Sequence, residues 1–399
     1  MRGFVTNPPL PHNYATELLE LVRGRGVHLW DSAGTRYLDL GAGISVNALG
    51  YGRRDLARIA SRQMRRLIHV SNLYTTGPAV ALAADLISLL NGRVGEYAAA
   101  QFGNSGAEAN EAALKYARLF AHRTRGEGHH KILSFDSGFH GRTMGALSAT
   151  PNRKYSEPFE PLIPGMESCA YNDVAALENA LTAEFAAVIV EVVQGEGGLR
   201  VMTREFAEAL NTRCAELGVL IIVDEIQTGL GRVGKLFGSE LVGLRPDIVT
   251  LSKPLAGGLP LSATVIPAKI NNLLKPGDHG TTFGGGPVTT AVARYIVRSL
   301  SEASFLKRVE ARSAQLTETL ESMVGPSLGV IERRGTGMLQ GLALEGDDGT
   351  RVLDVMAKCR ESGVLVLKSG ANVVRIAPPL VIGEGDLADG LETLKKALG

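Results

Sequence analysis

Short, almost wholly apolar runs separated by amphipathic stretches fill the middle of the chain. Ala98–Phe102, Ile132–Phe135, Ala187–Val192, Val219–Val223 and Ile248–Ser252 are such runs. Blocks of this kind predict strands buried on both faces, as in a mostly parallel sheet covered by helices. Helical patterns lie between them, at Arg54–Arg66 and Ala79–Leu90, from Ala107 onward, and over Thr203–Leu217, the last stopped by Gly218. Near the start, Val27–Trp30 and Arg36–Leu40 flank Asp31-Ser-Ala-Gly34 and read as a hairpin. After Pro287 a long helical region leads into Val330–Arg333, Met338–Leu344 and Val373–Ile376. The expected fold is α/β, with a large domain over 49–289 and a smaller α+β domain built from 1–48 and 290–399.

Composition changes this picture little. With 42 Lys and Arg against 41 Asp and Glu, no global field attracts nucleic acid or an acidic membrane. The nearly uncharged stretch Ile248–Ala268 contains Pro254, Gly257, Gly258, Pro260 and Lys253, which argues against a membrane helix. The 48 glycines suit the tight turns and close backbone approaches of a ligand-binding α/β protein. Cys169, Cys214 and Cys359 are widely spaced and read as free thiols in a reducing compartment. The first residues lack an apolar signal core, so a cytoplasmic location is expected.

Three features carry candidate chemistry. Lys253 is the one charged residue between Ile248 and Ala268, just past a buried strand. Burial would lower its pKa and leave a nucleophilic amine; a lysine snorkelling from a strand end to solvent fits the same pattern. Asp224 ends the run Val219–Val223, where open α/β sheets bind ligands. It could hold a metal, act as a base, pair with a protonated ring nitrogen, or cap the next helix. Gly103–Gly106 is a turn opening a helix, with Ser105 and Glu108 at capping-box spacing. Such a helix start binds phosphate, or is simply a capped helix. Gly229-Leu-Gly-Arg-Val-Gly234 matches GxGxxG but stands too far beyond its strand to serve a dinucleotide. The histidines show no metal-ligand spacing.

Taken together, six motifs resemble the class III (fold type I) pyridoxal-phosphate aminotransferases, and within them the acetylornithine aminotransferases. They are Phe102-Gly-Asn-Ser-Gly-Ala-Glu-Ala-Asn110, Phe139-His-Gly-Arg-Thr143, Gln194-Gly-Glu-Gly197, Asp224-Glu-Ile-Gln-Thr-Gly229, Ser252-Lys253 and Gly280-Thr-Thr-Phe-Gly284. The resemblance runs from Gly26 to Leu380 and implies the roles that follow. Lys253 joins the cofactor covalently and moves the substrate proton; Asp224 keeps the pyridine nitrogen protonated. Gln227 meets the ring hydroxyl, Phe139 stacks on the ring, and Ser105, Gly106 and Ala107 cradle the phosphate. Thr282 reaches the phosphate of the neighbouring subunit, so a homodimer is implied. Arg142 and Arg375 take substrate carboxylates, and Glu196 masks Arg375 when the ω-amine donor binds.

The reaction so implied moves the ω-amino group of N2-acetylornithine to 2-oxoglutarate. Ornithine aminotransferases place a tyrosine where this chain has Gly43, in Gly41-Ala-Gly-Ile-Ser-Val-Asn47, and a small residue leaves room for an N-acyl group. Departures from the family pattern are Gly50-Tyr-Gly-Arg-Arg-Asp55, Gly286 and Val192. Succinylated donors, carrier-bound lysine, ornithine and 4-aminobutyrate stay open as substrates. An aminomutase and a non-catalytic regulator are the competing classes, the first disfavoured by Arg142, Glu196 and Arg375 together, the second by the presence of Lys253 and Asp224.

Overall fold

The computed structural model describes residues 3–6, 8–13, 17–346 and 348–399. The central sheet has seven strands in the order Ala99–Gly103, Ser262–Ile266, Ile248–Leu251, Leu220–Asp224, Phe185–Val190, Lys131–Phe135, Met166–Cys169. Adjacent strands are parallel except at Ser262–Ile266, which runs against both neighbours. The apolar runs form this sheet because every residue of Phe185–Val190, Leu220–Asp224 and Ile248–Leu251 is buried. Alternate side chains point to opposite faces. Ile221 and Val223 pack with Phe206 and Leu210 on one side, while Leu220 and Ile222 pack with Ala113 and Ala117 on the other.

The covering helices start and stop where their ends are satisfied. Thr203 Oγ1 accepts from Phe206 N at 3.1 Å ahead of the helix Arg204–Leu217, and Gly218 closes it at φ +66°. Ser105 and Glu108 form a reciprocal capping box at the head of Gly106–Arg125. The segment Ile248–Ala268 is two strands joined by a short turn, and no described helix is long and apolar enough to cross a membrane.

Three smaller sheets contain the remaining described strands, which come from both chain ends. The hairpin His28–Asp31/Arg36–Asp39 turns on Asp31, whose Oδ1 accepts from Ala33 N and Thr35 N. Val364–Leu365, from far along the chain, pairs parallel with Arg36–Asp39. A four-stranded antiparallel sheet holds Val330–Thr336, Leu339–Leu344, Val373–Ile376 and Leu367–Ser369. The boundary expected at 289/290 falls inside the helix Pro287–Ser301, which packs on the helices Arg54–Met64 and Gly77–Leu90. The Gly229–Gly234 run is an irregular turn. It carries Arg232 into the interior, where one guanidinium nitrogen donates to Met338 O and Pro378 O. The antiparallel pair Phe4–Thr6/Glu17–Leu19 had no counterpart in the sequence pattern.

Candidate active site

The parallel strands deliver their C-terminal ends to one cavity of about 270 Å³, walled by Gly106, Ala107, Phe139, Arg142, Glu191, Asp224, Gln227 and Lys253 among others. Asp224 ends its strand only 4% exposed. Its Oδ2 accepts from Asn110 Nδ2 at 2.8 Å and lies 2.9 Å from His140 Nδ1, and its Oδ1 accepts from Ile226 N. Asn110 is itself fixed, donating to His140 O and accepting from Thr250 Oγ1. A carboxylate this deeply buried is costly unless paired, so it suits a cationic partner.

The helix Gly106–Arg125 opens onto the cavity. Its cap uses the Ser105 and Glu108 side chains and the N–H groups of Asn104, Ser105 and Glu108. The N–H groups of Gly106 and Ala107 have no acceptor among the described residues. Free amides at the positive end of a 20-residue helix form an anion site. Ser105 is exposed and does not line the cavity in this chain.

Lys253 follows the strand Ile248–Leu251 after Ser252, whose hydroxyl donates to Leu261 O at 3.0 Å. The lysine is half-buried and faces the cavity. Burial pushes its ammonium below the ordinary lysine range; Glu196, Asp224 and Glu191 oppose the shift and Arg375 adds to it.

Phe139 and Arg142 lie on the loop after Lys131–Phe135. The Arg142 guanidinium stacks 3.7 Å above the Tyr155 ring and 5.6 Å from that of Phe139. Across the site, Arg375 is buried on Val373–Ile376 and pairs with Glu196 at 2.6 Å. The same Nη1 also donates to Gly195 O at 2.8 Å and Gln227 Oε1 at 3.3 Å, while the Arg375 Nε has no partner among the described residues. Gln227 Oε1 also lies 3.5 Å from the Ser45 hydroxyl. Ser45 ends a turn, Ala42–Ser45, in which all four residues have φ between +50° and +64°. A left-handed turn with three non-glycine residues is strained. Asp39 holds it, accepting from Gly41 N and Ala42 N while Tyr51 donates to its other oxygen. Gly43 lies in this turn, where an added Cβ would meet the Asn47 amide at 3.0 Å.

Cavity walls or direct neighbours therefore include Lys253, Asp224, Gly106, Ala107, Phe139, Gln227, Arg142, Glu196 and Arg375. Thr282 lies elsewhere in this chain, in a hollow with Asn72, Thr76 and Gly284. The sequence reading overlooked Glu191, His140, Asn110 and Tyr155. His140 and Asn110 stand inside quoted motifs, so only their part in fixing Asp224 was missed. Glu191 follows an apolar strand run as Asp224 does, a signal that was there to be read, whereas Tyr155 gave none.

Comparison with known proteins narrows the fold and site to one class of protein. A family model described as aminotransferase class-III matches residues 10–398. The acetylornithine aminotransferase of Debaryomyces hansenii, a mitochondrial protein, is 40% identical over 99% of this chain and 85% of its own length. That of Caldanaerobacter subterraneus is 39% identical over 95% of this chain and 94% of its own length. Among solved structures, the ornithine aminotransferase of Toxoplasma gondii superposes with a TM-score of 0.92 at 32% identity, covering 98% and 92% of the two chains. N-acetylornithine aminotransferase from Stenotrophomonas maltophilia gives 0.82 at 31% identity, over 95% and 94%.

The chain belongs to the class-III aminotransferases, a family of transaminases that depend on pyridoxal phosphate.

Proposed function

We propose that the enzyme transfers the ω-amino group of N2-acetylornithine to 2-oxoglutarate, giving N-acetylglutamate 5-semialdehyde and glutamate, the chemistry of a step in arginine synthesis. The observation that carries this is the meeting, at one cavity, of free helix amides, a lysine of lowered pKa, a buried carboxylate and Arg142, with Arg375 behind the wall on Gln227. The residues fit the cofactor. The Gly106 and Ala107 amides suit its phosphate, and Asp224 suits a protonated ring nitrogen at the other end.

Bound there, pyridoxal phosphate supplies an electron sink for the carbon that loses its proton. The chain's residues do the rest. Lys253 would join the cofactor, and its neutral Nζ would take the proton from the substrate carbon and return it. Asp224, held by Asn110 and His140, would keep a proton on the ring nitrogen. Gln227 would meet the ring hydroxyl, Phe139 would cover the ring face, and Ser105 would complete the phosphate cradle with Gly106 and Ala107. Arg142, steadied on Tyr155, would grip the α-carboxylate of N-acetylornithine. Arg375 would take the α-carboxylate of 2-oxoglutarate once Glu196 leaves it. While the amine donor is bound, Glu196 would stay paired, because an unpaired buried guanidinium is costly.

Thr282 would serve the phosphate of a second subunit. Ile68, Leu73, Tyr74 and Phe283 are strongly exposed near its hollow, an apolar surface that favours a homodimer. Three free cysteines favour a reducing, cytoplasmic setting. Free ornithine is the alternative donor, favoured by the high similarity to the Toxoplasma enzyme; Gly43, without a side chain to meet a second amino group, favours the acylated one.

The test is direct. Holoenzyme should show a visible absorbance band that N-acetylornithine shifts and that Lys253→Ala abolishes. Turnover should favour N-acetylornithine over ornithine, N-succinyldiaminopimelate and 4-aminobutyrate. Colourless protein in excess cofactor refutes the reading of the site, and equal efficiency with ornithine refutes that of the donor.

A further inference from the structure

The two loops that carry the substrate-binding residues come from different strands. One follows Lys131–Phe135 and carries Phe139 and Arg142; the other follows Phe185–Val190 and carries Gly195 and Glu196. Little in their backbones forces them into register. They touch where Gln194 Nε2 donates to Asp136 O at 2.8 Å, and Gly197 lies so close to Ser137 that a Cβ there would overlap Ser137 O. Deeper in, a single carboxylate joins them. Glu191 Oε1 accepts from Phe139 N at 2.9 Å and Oε2 accepts from Gly195 N at 3.1 Å. Gly195 in turn receives Arg375 Nη1 on its carbonyl, as well as the Ser369 hydroxyl.

We infer that Glu191 is a positioning residue: its carboxylate clips the Phe139–Arg142 loop to the Gly195–Glu196 loop, setting the distance between the two carboxylate-binding arginines. Resting on the transaminase reading above, this gives both substrates a common dependence on a residue that need touch neither. Two acceptor oxygens are required, since neither backbone N–H has another acceptor among the described residues and that of Gly195 is buried. Only the ionised form offers both freely, because a protonated carboxyl turns one oxygen into a donor. Burial pushes the Glu191 carboxyl up to about 7; His140 and the two N–H groups oppose the shift and Asp224 adds to it. Lys253 and Tyr171 are the other titratable groups that face it. The clip therefore holds above neutrality and loosens as the pH falls through about 7.

The test compares holoenzyme with Glu191→Gln, which keeps the size but has one acceptor oxygen. KM should rise about tenfold for both N-acetylornithine and 2-oxoglutarate, the effect expected from one lost charge-assisted hydrogen bond, with a smaller change in kcat. The visible band should persist, because Lys253 and Asp224 are intact. In cofactor-free protein, amide exchange should speed up in peptides covering Phe139 and Gly195 but not in those covering Leu220–Asp224. In the wild type, KM for 2-oxoglutarate should rise as the pH falls from 8 to 6, and Glu191→Gln should flatten this profile. Unchanged KM for either substrate, uniform exchange, or a wild-type profile flat over that range would overturn the clip, and the last needs no variant to fold. Failure of the wild type to transaminate any donor would instead sink the reading on which it rests.

Discussion

Replacing Glu196 with alanine should turn the enzyme towards glutamate. Arg375 is only 2% exposed, and its one carboxylate partner among the described residues is Glu196 at 2.6 Å. The guanidinium stays in place without it, because Gly195 O and Gln227 Oε1 hold the same nitrogen. A dicarboxylate that binds Arg375 in the wild type must first displace Glu196. A charge-assisted hydrogen bond in a protein is worth ~1.5–3 kcal/mol. Glu196 is about a quarter exposed, so the pair is partly screened and about 1–2 kcal/mol is the fair range. That corresponds to roughly 5- to 30-fold tighter binding of glutamate and 2-oxoglutarate. The donor half-reaction should weaken over a similar range, since N-acetylornithine would then face an unpaired buried cation. Single-turnover mixing, following the visible band with each amine separately, measures the two half-reactions. An unchanged ratio of glutamate to N-acetylornithine efficiency would refute the masking argument.

Three further outcomes follow from other parts of the fold. Gly195→Ala puts a Cβ into the Gln227 amide, which can swing away, so the protein should fold while activity falls at least about tenfold, checked by kinetics beside a melting curve. Phe206→Ala removes a fully buried ring packed edge-on to Phe135 and Tyr171, and should cost ~3–5 kcal/mol in denaturant unfolding. The Asp278 carboxyl is held down at about 2 by its hydrogen bonds from Arg123 and from Lys275 N. A depressed carboxylate contributes stability above its ordinary pKa and loses it as the pH falls through the folded value. The melting-temperature gap between wild type and Asp278→Asn should therefore be full at pH 6 and close towards pH 2; a gap independent of pH would refute the linkage.

Five of the seven strands of the large sheet, all but Ser262–Ile266 and Met166–Cys169, were legible because burial on both faces leaves a strand no reason to carry polar residues until it reaches the ligand edge. That is why Asp224 after five apolar residues, and Lys253 alone in an uncharged stretch, stood out. The reversed direction of Ser262–Ile266 was not legible, since a buried strand reads the same either way. The Ala42–Ser45 turn was hidden for another reason: only one of its four residues is glycine, and the strain is tolerated because Asp39 and Tyr51 hold it from outside. Glu191 and Tyr155 act through partners 52 and 13 positions away, Phe139 and Arg142, and no periodicity announces such contacts. Arg375 and Glu196 are 179 apart and were matched only by likeness to a family.

The reversed strand has a bearing on Lys253 itself. A parallel return into the sheet would have sent the chain over one face through a crossover of a dozen or more residues. Because Ser262–Ile266 runs the other way, the ten residues 252–261 leave and re-enter at the same edge. The Lys253 amine thus hangs on a short span whose two ends are hydrogen-bonded to each other's strands. Its freedom is surrendered once, when the sheet forms, and little is left to lose at each catalytic cycle.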